Sequence, residues 1–156
     1  MRPCILEFGR VDLPPDRIFI DDSLASLEEN LIFLQTLAQK SPDEFLRSRE
    51  STYSAAYALT ISIEAIAGIA SHLLATLNQP VPKGMADSFE ALFRCQILQS
   101  AELVGKLAQM SRFRNLLVHR YWHVDYRVVY EILNSHLADF SQFAQQIQSY
   151  LDQGSL

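Results

Sequence analysis

The feature that most constrains the fold is a long apolar stretch with a single charge. Between Glu50 and Lys83 the only charged side chain is Glu64. Residues 53–77 are apolar nearly all round a helix, and such a helix belongs in the middle of a bundle. Ser, Thr, Glu64 and His72 interrupt the stretch too often for a convincing membrane span. The chain is therefore expected to build its core around this helix.

Amphipathic helical patterns surround the apolar stretch. Leucines recur at spacings of three and four from Asp22 onward, which predicts a first helix. The segment Ser41-Pro42-Asp43-Glu44 combines a cap, a proline at the first helical position and the glutamate of a capping box. Apolar stripes over 103–117 and 129–151 predict two more helices, with Asp125 as the N-cap of the last.

The absence of strand alternation and of internal repeats predicts an all-α fold, an antiparallel bundle of four or five helices. Residues 1–21 hold several prolines and no helical period, so they are expected to form an irregular N-terminal arm. Residues 22–156 are expected to form a single domain, because this length supports one well-buried core. The proline-containing stretch at 78–84 is expected to be a loop within it.

The chain is expected to stay in the cytoplasm, away from membranes. No apolar run reaches the length of about 18 residues that a span requires, and the start MRPCILEFGRVDLPPDR lacks the apolar region of a secretory signal. Cys4 and Cys95 are the only cysteines and are expected to be reduced.

The net charge of -5 argues against a protein that coats nucleic acid through overall positive charge. Residues 11–50 hold nine acidic and four basic residues, so the charge of this stretch alone equals the net charge of the whole chain. The segment 106–127 instead has a charge of +4, with Asp125 as its only acid. This segment favours a local anion site, although a solvated basic helix face has the same composition. Its cations are Lys106, Arg112, Arg114, Arg120 and Arg127.

Residues 114–121 of this basic segment read RNLLVHRY. The pattern resembles the signature of HEPN domains of the HepT group, ribonuclease toxins paired with a minimal nucleotidyltransferase antitoxin of the MntA type. The resemblance extends over roughly residues 22–152 and includes SPDEFL, IEAIA and VVYEIL. It implies a HEPN helical bundle, RNA as substrate, a cognate MntA-like antitoxin as partner, and no cofactor.

Arg114 and His119 are the candidate catalytic residues. Cleaving RNA without a metal requires a base for the 2′-hydroxyl, an acid for the leaving oxygen and a clamp for the phosphorane charge. Histidine suits the first two tasks and arginine the third. Asn115 is a candidate supporting residue that would hold a phosphate oxygen or order His119, although asparagine is also common where a helix frays.

Two further residues complete the candidate site. By the resemblance, Tyr121 is the residue that the nucleotidyltransferase adenylylates, which would place negative charge beside Arg114 in competition with RNA. The alternative is a tyrosine packed at a helix end. Glu64 is expected to be a structural polar partner, because a lone carboxylate in an apolar helix needs a charged or hydrogen-bonding group such as Arg114.

Helical spacing separates the two catalytic candidates. Five residues at about 100° each place Arg114 and His119 about 140° apart around an ideal helix. Either the helix ends or kinks near Val118, or the site combines residues from two chains. The second option would also supply two histidines, so we predict a C2 homodimer whose 114–121 segments face each other across a cleft. His119 and His123 have a zinc-compatible spacing, but no metal is expected because no Cys or further His joins them.

Together these features predict the toxin of a type VII HepT/MntA-like toxin-antitoxin system. It would be a metal-independent endoribonuclease that adenylylation of Tyr121 neutralises. The alternative is a non-catalytic helical module that provides the substrate-binding site of a minimal nucleotidyltransferase. The acidic net charge suits this alternative, whereas the Arg114 and His119 pair argues against it.

Overall fold

The computed structural model describes residues 14–154, which form seven α-helices, one short 3-10 turn and no strand. The all-α prediction is confirmed, with more helices than the four or five expected. The helices are α1 (Arg17–Ala38), α2 (Pro42–Arg47), α3 (Arg49–Thr76), α4 (Met85–Arg94), α5 (Ala101–His119), α6 (Tyr126–Ser135) and α7 (Leu137–Gln153), and the 3-10 turn is Tyr121–His123.

Helix α3 is the core of the bundle and packs against all six other helices. By length and composition it could cross a membrane, with a mean hydropathy of 1.6 over its most apolar window. However, 56% of that window is buried inside the bundle, as in the core helix of a soluble protein. Its fully buried side chains include Leu59, Ile63, Ile66, Ile69 and Leu73.

Capping explains where the helices around α3 begin. The Ser41 hydroxyl accepts from the Glu44 amide at 3.2 Å, and the Glu44 carboxylate accepts from the Ser41 amide at 2.9 Å. This reciprocal box holds the pKa of Glu44 below its ordinary value, chiefly through the Ser41 amide. The capping box predicted for α2 is therefore confirmed, with Pro42 at the first helical position.

Two unpredicted breaks raise the number of helices. His136 has φ -126° and ψ 0°, which ends α6 and separates it from α7. Gln96 has φ +60° just after α4, and Ser100 then caps α5 through the Leu103 amide. The apolar period continues across both breaks because the helices on either side bury the same face, so periodicity does not reveal them.

Helix α1 begins at Arg17, five residues before the start predicted at Asp22. The Asp16 side chain caps it by accepting from the Phe19 amide at 3.1 Å. The Asp16 amide in turn donates to Nε2 of His72 on α3 at 3.0 Å. Residues 17–21 are thus helical instead of part of an irregular arm. The arm predicted over residues 1–13 lies outside the described residues.

Cys95 departs from the expectation of a reduced thiol, because it is disulfide-bonded in the structure. Cys4 lies outside the described residues. The expectation depended on the compartment expected for the chain, and a compartment does not describe the geometry around a particular cysteine.

The dependence of the bundle on α3 can be measured by truncating Ile66, which is fully buried there. We expect Ile66→Ala to lower the free energy of unfolding by about 2–5 kcal/mol, because it removes apolar contacts and leaves a cavity. Urea denaturation measures this loss. The matched control is Ile32→Ala on α1, whose side chain is 56% exposed and whose change should stay within about 0.5 kcal/mol. Equal losses in both variants would contradict a core centred on α3.

Candidate active site

Arg114 on α5 is held from two sides. Its Nη2 group donates to Oε1 of Glu64 on α3, and its Nη1 group donates to Oδ1 of Asn115 at 3.2 Å. The Arg114 side chain is 21% exposed and that of Glu64 is 41% exposed. A guanidinium carries five N–H donors, so these two bonds leave further Nη donors that can reach an anion. The structure thus joins Glu64, Asn115 and Arg114 in one cluster.

The Nε atom of Arg114 is buried and has no hydrogen-bond partner within residues 14–154. A buried donor without a partner normally costs about 1–3 kcal/mol. The contacts with Glu64 and Asn115 offset part of that cost. Arg114 is therefore a charged side chain retained at an energetically unfavourable position, which is common at functional sites.

His119 lies apart from this cluster. It is the last residue of α5, is exposed, and makes no side-chain hydrogen bond among the described residues. Helix α5 is unbroken from Ala101 through His119, and the Arg120 amide closes it on the Leu116 carbonyl at 2.9 Å. On ideal geometry His119 is about 7.5 Å further along the helix than Arg114 and on a different face. The helix does end near Val118, as one of the two alternatives required, but His119 is still helical, so this end does not turn it towards Arg114.

Tyr121 lies in the 3-10 turn that follows α5. Its side chain is 68% exposed, so it is not packed into the core. The next residue, Trp122, is 64% exposed, and its ring meets that of Tyr121 edge to face at 4.8 Å. Sequence reasoning missed Trp122, although a chain's single tryptophan in a short polar turn is an unusual placement.

Asp125 closes the turn and begins α6, as predicted. Its carboxylate accepts from the Arg127 amide at 3.0 Å and from Arg127 Nε at 3.1 Å. These hydrogen bonds from the Arg127 side chain and then from its amide hold the pKa of Asp125 below its ordinary value. The turn that carries Tyr121 and Trp122 is therefore fixed at both ends, by the C-terminus of α5 and by the cap of α6.

Of the other histidines, His72 and His136 lie away from this region, whereas His123 shares the turn of Tyr121 and Trp122. Nε2 of His72 accepts from the Asp16 amide, and Nδ1 of His136 lies 3.2 Å from the buried carboxylate of Asp139. His123 is in the 3-10 turn after α5. Within residues 14–154, no group of three or more His, Cys, Asp or Glu side chains is arranged to hold a metal ion.

Comparison with known proteins identifies the family. Residues 21–147 match the family model described as Ribonuclease HepT-like. The chain belongs to this family. The match confirms the predicted HepT-like family and, with it, the predicted enzyme class of ribonuclease. Most of the described helical bundle lies within the matched range.

Individual relatives agree with this assignment. The tRNA nuclease HepT of Aphanizomenon flos-aquae is 28% identical over 134 residues, which cover 86% of this chain and 90% of that protein. The mRNA nuclease HepT of Shewanella oneidensis is 30% identical over 86 residues, which cover 55% of this chain and 64% of that protein. The structure of a tri-AMPylated Shewanella oneidensis HEPN toxin, solved in complex with an MNT antitoxin, superposes with a TM-score of 0.77. At 24% identity, covering 84% of this chain and 97% of that one, it shows a shared fold.

The pH dependence of the 121–125 turn follows from Asp125. A carboxylate with a lowered pKa stabilises the fold fully above the unfolded-state pKa of about 4, and this stabilisation is lost as the pH falls through the lower folded-state pKa. Trp122 is the only tryptophan of the chain, so its fluorescence reports on the turn. We expect its emission to change in that acid window.

Asp125→Asn is the matched control, because asparagine caps a helix without titrating in this range. Its Trp122 emission should stay constant where the emission of the unaltered protein changes. Far-UV circular dichroism over the same pH series separates the local change from unfolding of the bundle. The same acid transition in both proteins would show that Asp125 is not its source.

Proposed function

We propose that this chain is the toxin of a type VII toxin-antitoxin pair and cleaves RNA internally without a metal ion. The observation that carries the proposal is the arrangement at the end of α5. There Glu64 and Asn115 hold the half-buried Arg114, and the exposed His119 and Tyr121 follow within seven residues. The family assignment and the nuclease names of both relatives support RNA as the substrate. We place this activity in the cytoplasm.

The chemistry requires one proton to be removed and one to be delivered. A histidine takes the proton of the 2′-hydroxyl, and the 2′-oxygen attacks the adjacent phosphorus. The bond from phosphorus to the 5′-oxygen breaks, and a second acid protonates that oxygen, which yields a 2′,3′-cyclic phosphate and a 5′-hydroxyl. Arg114 donates to the non-bridging oxygens, where negative charge builds up.

A homodimer would supply the second histidine that the reaction needs and would bring a histidine close to Arg114. Because α5 is unbroken through His119, ideal helix geometry directs His119 and Arg114 of one protomer away from each other. A C2 axis near the end of α5 would bring two copies of each residue into one cleft. One His119 then acts as base and the other as acid. We therefore propose a composite site between two protomers.

We further propose that an MntA-like nucleotidyltransferase silences the site by adenylylating Tyr121. The exposed hydroxyl would attack the α-phosphate of ATP, release pyrophosphate and gain a phosphodiester with one negative charge. That charge would compete with RNA for Arg114. The Shewanella oneidensis toxin of the same fold, which is tri-AMPylated and bound to an MNT antitoxin, supports this regulation.

Catalysis by Arg114 and His119 is tested with labelled RNA in EDTA. We expect cleavage by the unaltered protein and a loss of at least about a hundredfold in Arg114→Ala and in His119→Ala, the scale of acid-base and electrostatic contributions. A substrate with a 2′-deoxy nucleotide at the cut site should give no product there. The exposed Arg94→Ala on α4 serves as the matched arginine control. Equal cleavage by all variants would overturn the assignment of Arg114 and His119, whereas no cleavage by the unaltered protein would favour the non-catalytic alternative.

Adenylylation is tested by intact mass after incubation with ATP and the cognate nucleotidyltransferase. We expect one or more AMP additions to the unaltered protein and none to Tyr121→Phe, which lacks the nucleophilic oxygen. The exposed Tyr57→Phe on α3 should be modified like the unaltered protein. AMP that persists in Tyr121→Phe would show that another residue is the acceptor.

A further inference from the structure

A second group of aromatic side chains lies outside the Arg114 cluster. We call Tyr53, Tyr57, Trp122 and Tyr126 the aromatic surface. Tyr53 is 57% exposed, Tyr57 69% and Trp122 64%. The rings of Tyr53 and Tyr126 stack at 6.0 Å with an angle of 28°. So many exposed aromatic rings are unusual on the surface of a small bundle, and they mark a binding surface.

The aromatic surface and the Glu64 carboxylate of the proposed catalytic site lie on the same face of α3. Trp122 and Tyr126 line one open groove at the start of α6, and the stacked pair carries the surface from Tyr126 to Tyr53 on α3. Tyr53, Tyr57 and Glu64 follow helical spacing along one face of α3. The helix rises by about 16 Å from Tyr53 to Glu64. The surface therefore runs along α3 to the carboxylate that holds Arg114.

Guanidinium groups lie between and beside these rings. Arg49 lies over the Tyr53 ring at 6.0 Å from its centroid. Arg120 is exposed next to the 3-10 turn, and the Arg127 side chain is 78% exposed beside Tyr126. Aromatic rings interleaved with cations are how proteins bind single-stranded nucleic acid, with rings for the bases and cations for the phosphates.

Charge favours an RNA over a protein as the occupant of this surface. Tyr, Trp and Arg are also enriched at protein interfaces, so the rings and the Arg49 guanidinium over Tyr53 do not separate the two by themselves. The surface also adjoins the basic segment 106–127, in a chain whose net charge is -5. Charge complementarity therefore favours a polyanion as its occupant.

We propose that the aromatic surface stacks unpaired bases of single-stranded RNA and leads the strand to Arg114. This inference rests on the proposed ribonuclease function and adds a substrate class, RNA that is unpaired beside the cut. Duplex RNA keeps its bases stacked on each other and presents no free base face to the tyrosines or to Trp122.

Direct binding tests the inference without cleavage. A fluorescein-labelled single-stranded oligoribonucleotide and a duplex of the same sequence are titrated with His119→Ala protein, and anisotropy gives the Kd. In this His119→Ala parent, a second substitution, Trp122→Ala or Tyr53→Ala, should raise the Kd for the single strand by about fivefold to a hundredfold. This range corresponds to the stacking free energy of one base on an aromatic ring. Duplex binding should change little. Trp122→Phe should retain most of the affinity, because it keeps a ring.

Phe93→Ala is the control, because Phe93 is a 38% exposed aromatic side chain on α4, a helix that carries no residue of the aromatic surface. Its single-strand Kd should match that of the parent. An unchanged single-strand Kd in both Trp122→Ala and Tyr53→Ala would overturn this inference and leave the proposed function standing. An equal loss of affinity for single-stranded and duplex RNA would do the same. No binding of either RNA by the His119→Ala parent would overturn the proposed function. Sedimentation that shifts to a smaller species in Trp122→Ala would assign the surface to contacts between copies of the chain.

Discussion

The contact between Glu64 and Arg114 joins the core of this protein to its site. Glu64 is the only charge between Glu50 and Lys83, in a stretch of α3 that is otherwise largely apolar. Such a carboxylate requires a partner, and the cation that meets it comes from α5. This pairing holds the Arg114 side chain of α5 against α3. The arginine is thereby held before any substrate arrives, which is the condition for effective electrostatic catalysis.

The end of α5 then separates two kinds of residue. Arg114 is still part of the packed helix and is mostly covered, whereas His119 and Tyr121 are exposed where the helix stops. Asp125 begins α6 soon after, so the intervening turn is short and has a defined cap at its far side. A mostly covered arginine and the exposed His119 and Tyr121 thus lie within eight residues of chain. This arrangement suits a site that a second protomer completes and that a modifying partner can reach.

Much of the fold was readable from local chemistry. The core position of α3, the capping box at Ser41 and the cap at Asp125 each follow from side chains that act on neighbouring backbone or from a helical apolar period. The break at His136 and the helical start at Arg17 were missed. Neither has a decisive local signal, since no proline or glycine marks His136, and Pro14-Pro15 directly before Asp16 suggested irregular chain. Both depend on how the helices pack on α3.

The sequence by itself determined the helical class, the central helix and the family, and it named the candidate site residues, because residue type and a period of 3.6 act locally. Only the tertiary structure decided which groups meet. It brought Glu64 and Asn115 into hydrogen bonds with Arg114 and left His119 apart at the helix end. It also stacked Tyr126 on Tyr53, which lies more than seventy positions earlier in the chain. Contacts between α3 and α5 or α6 depend on the packing of whole helices, and spacing along one chain carries no record of that packing.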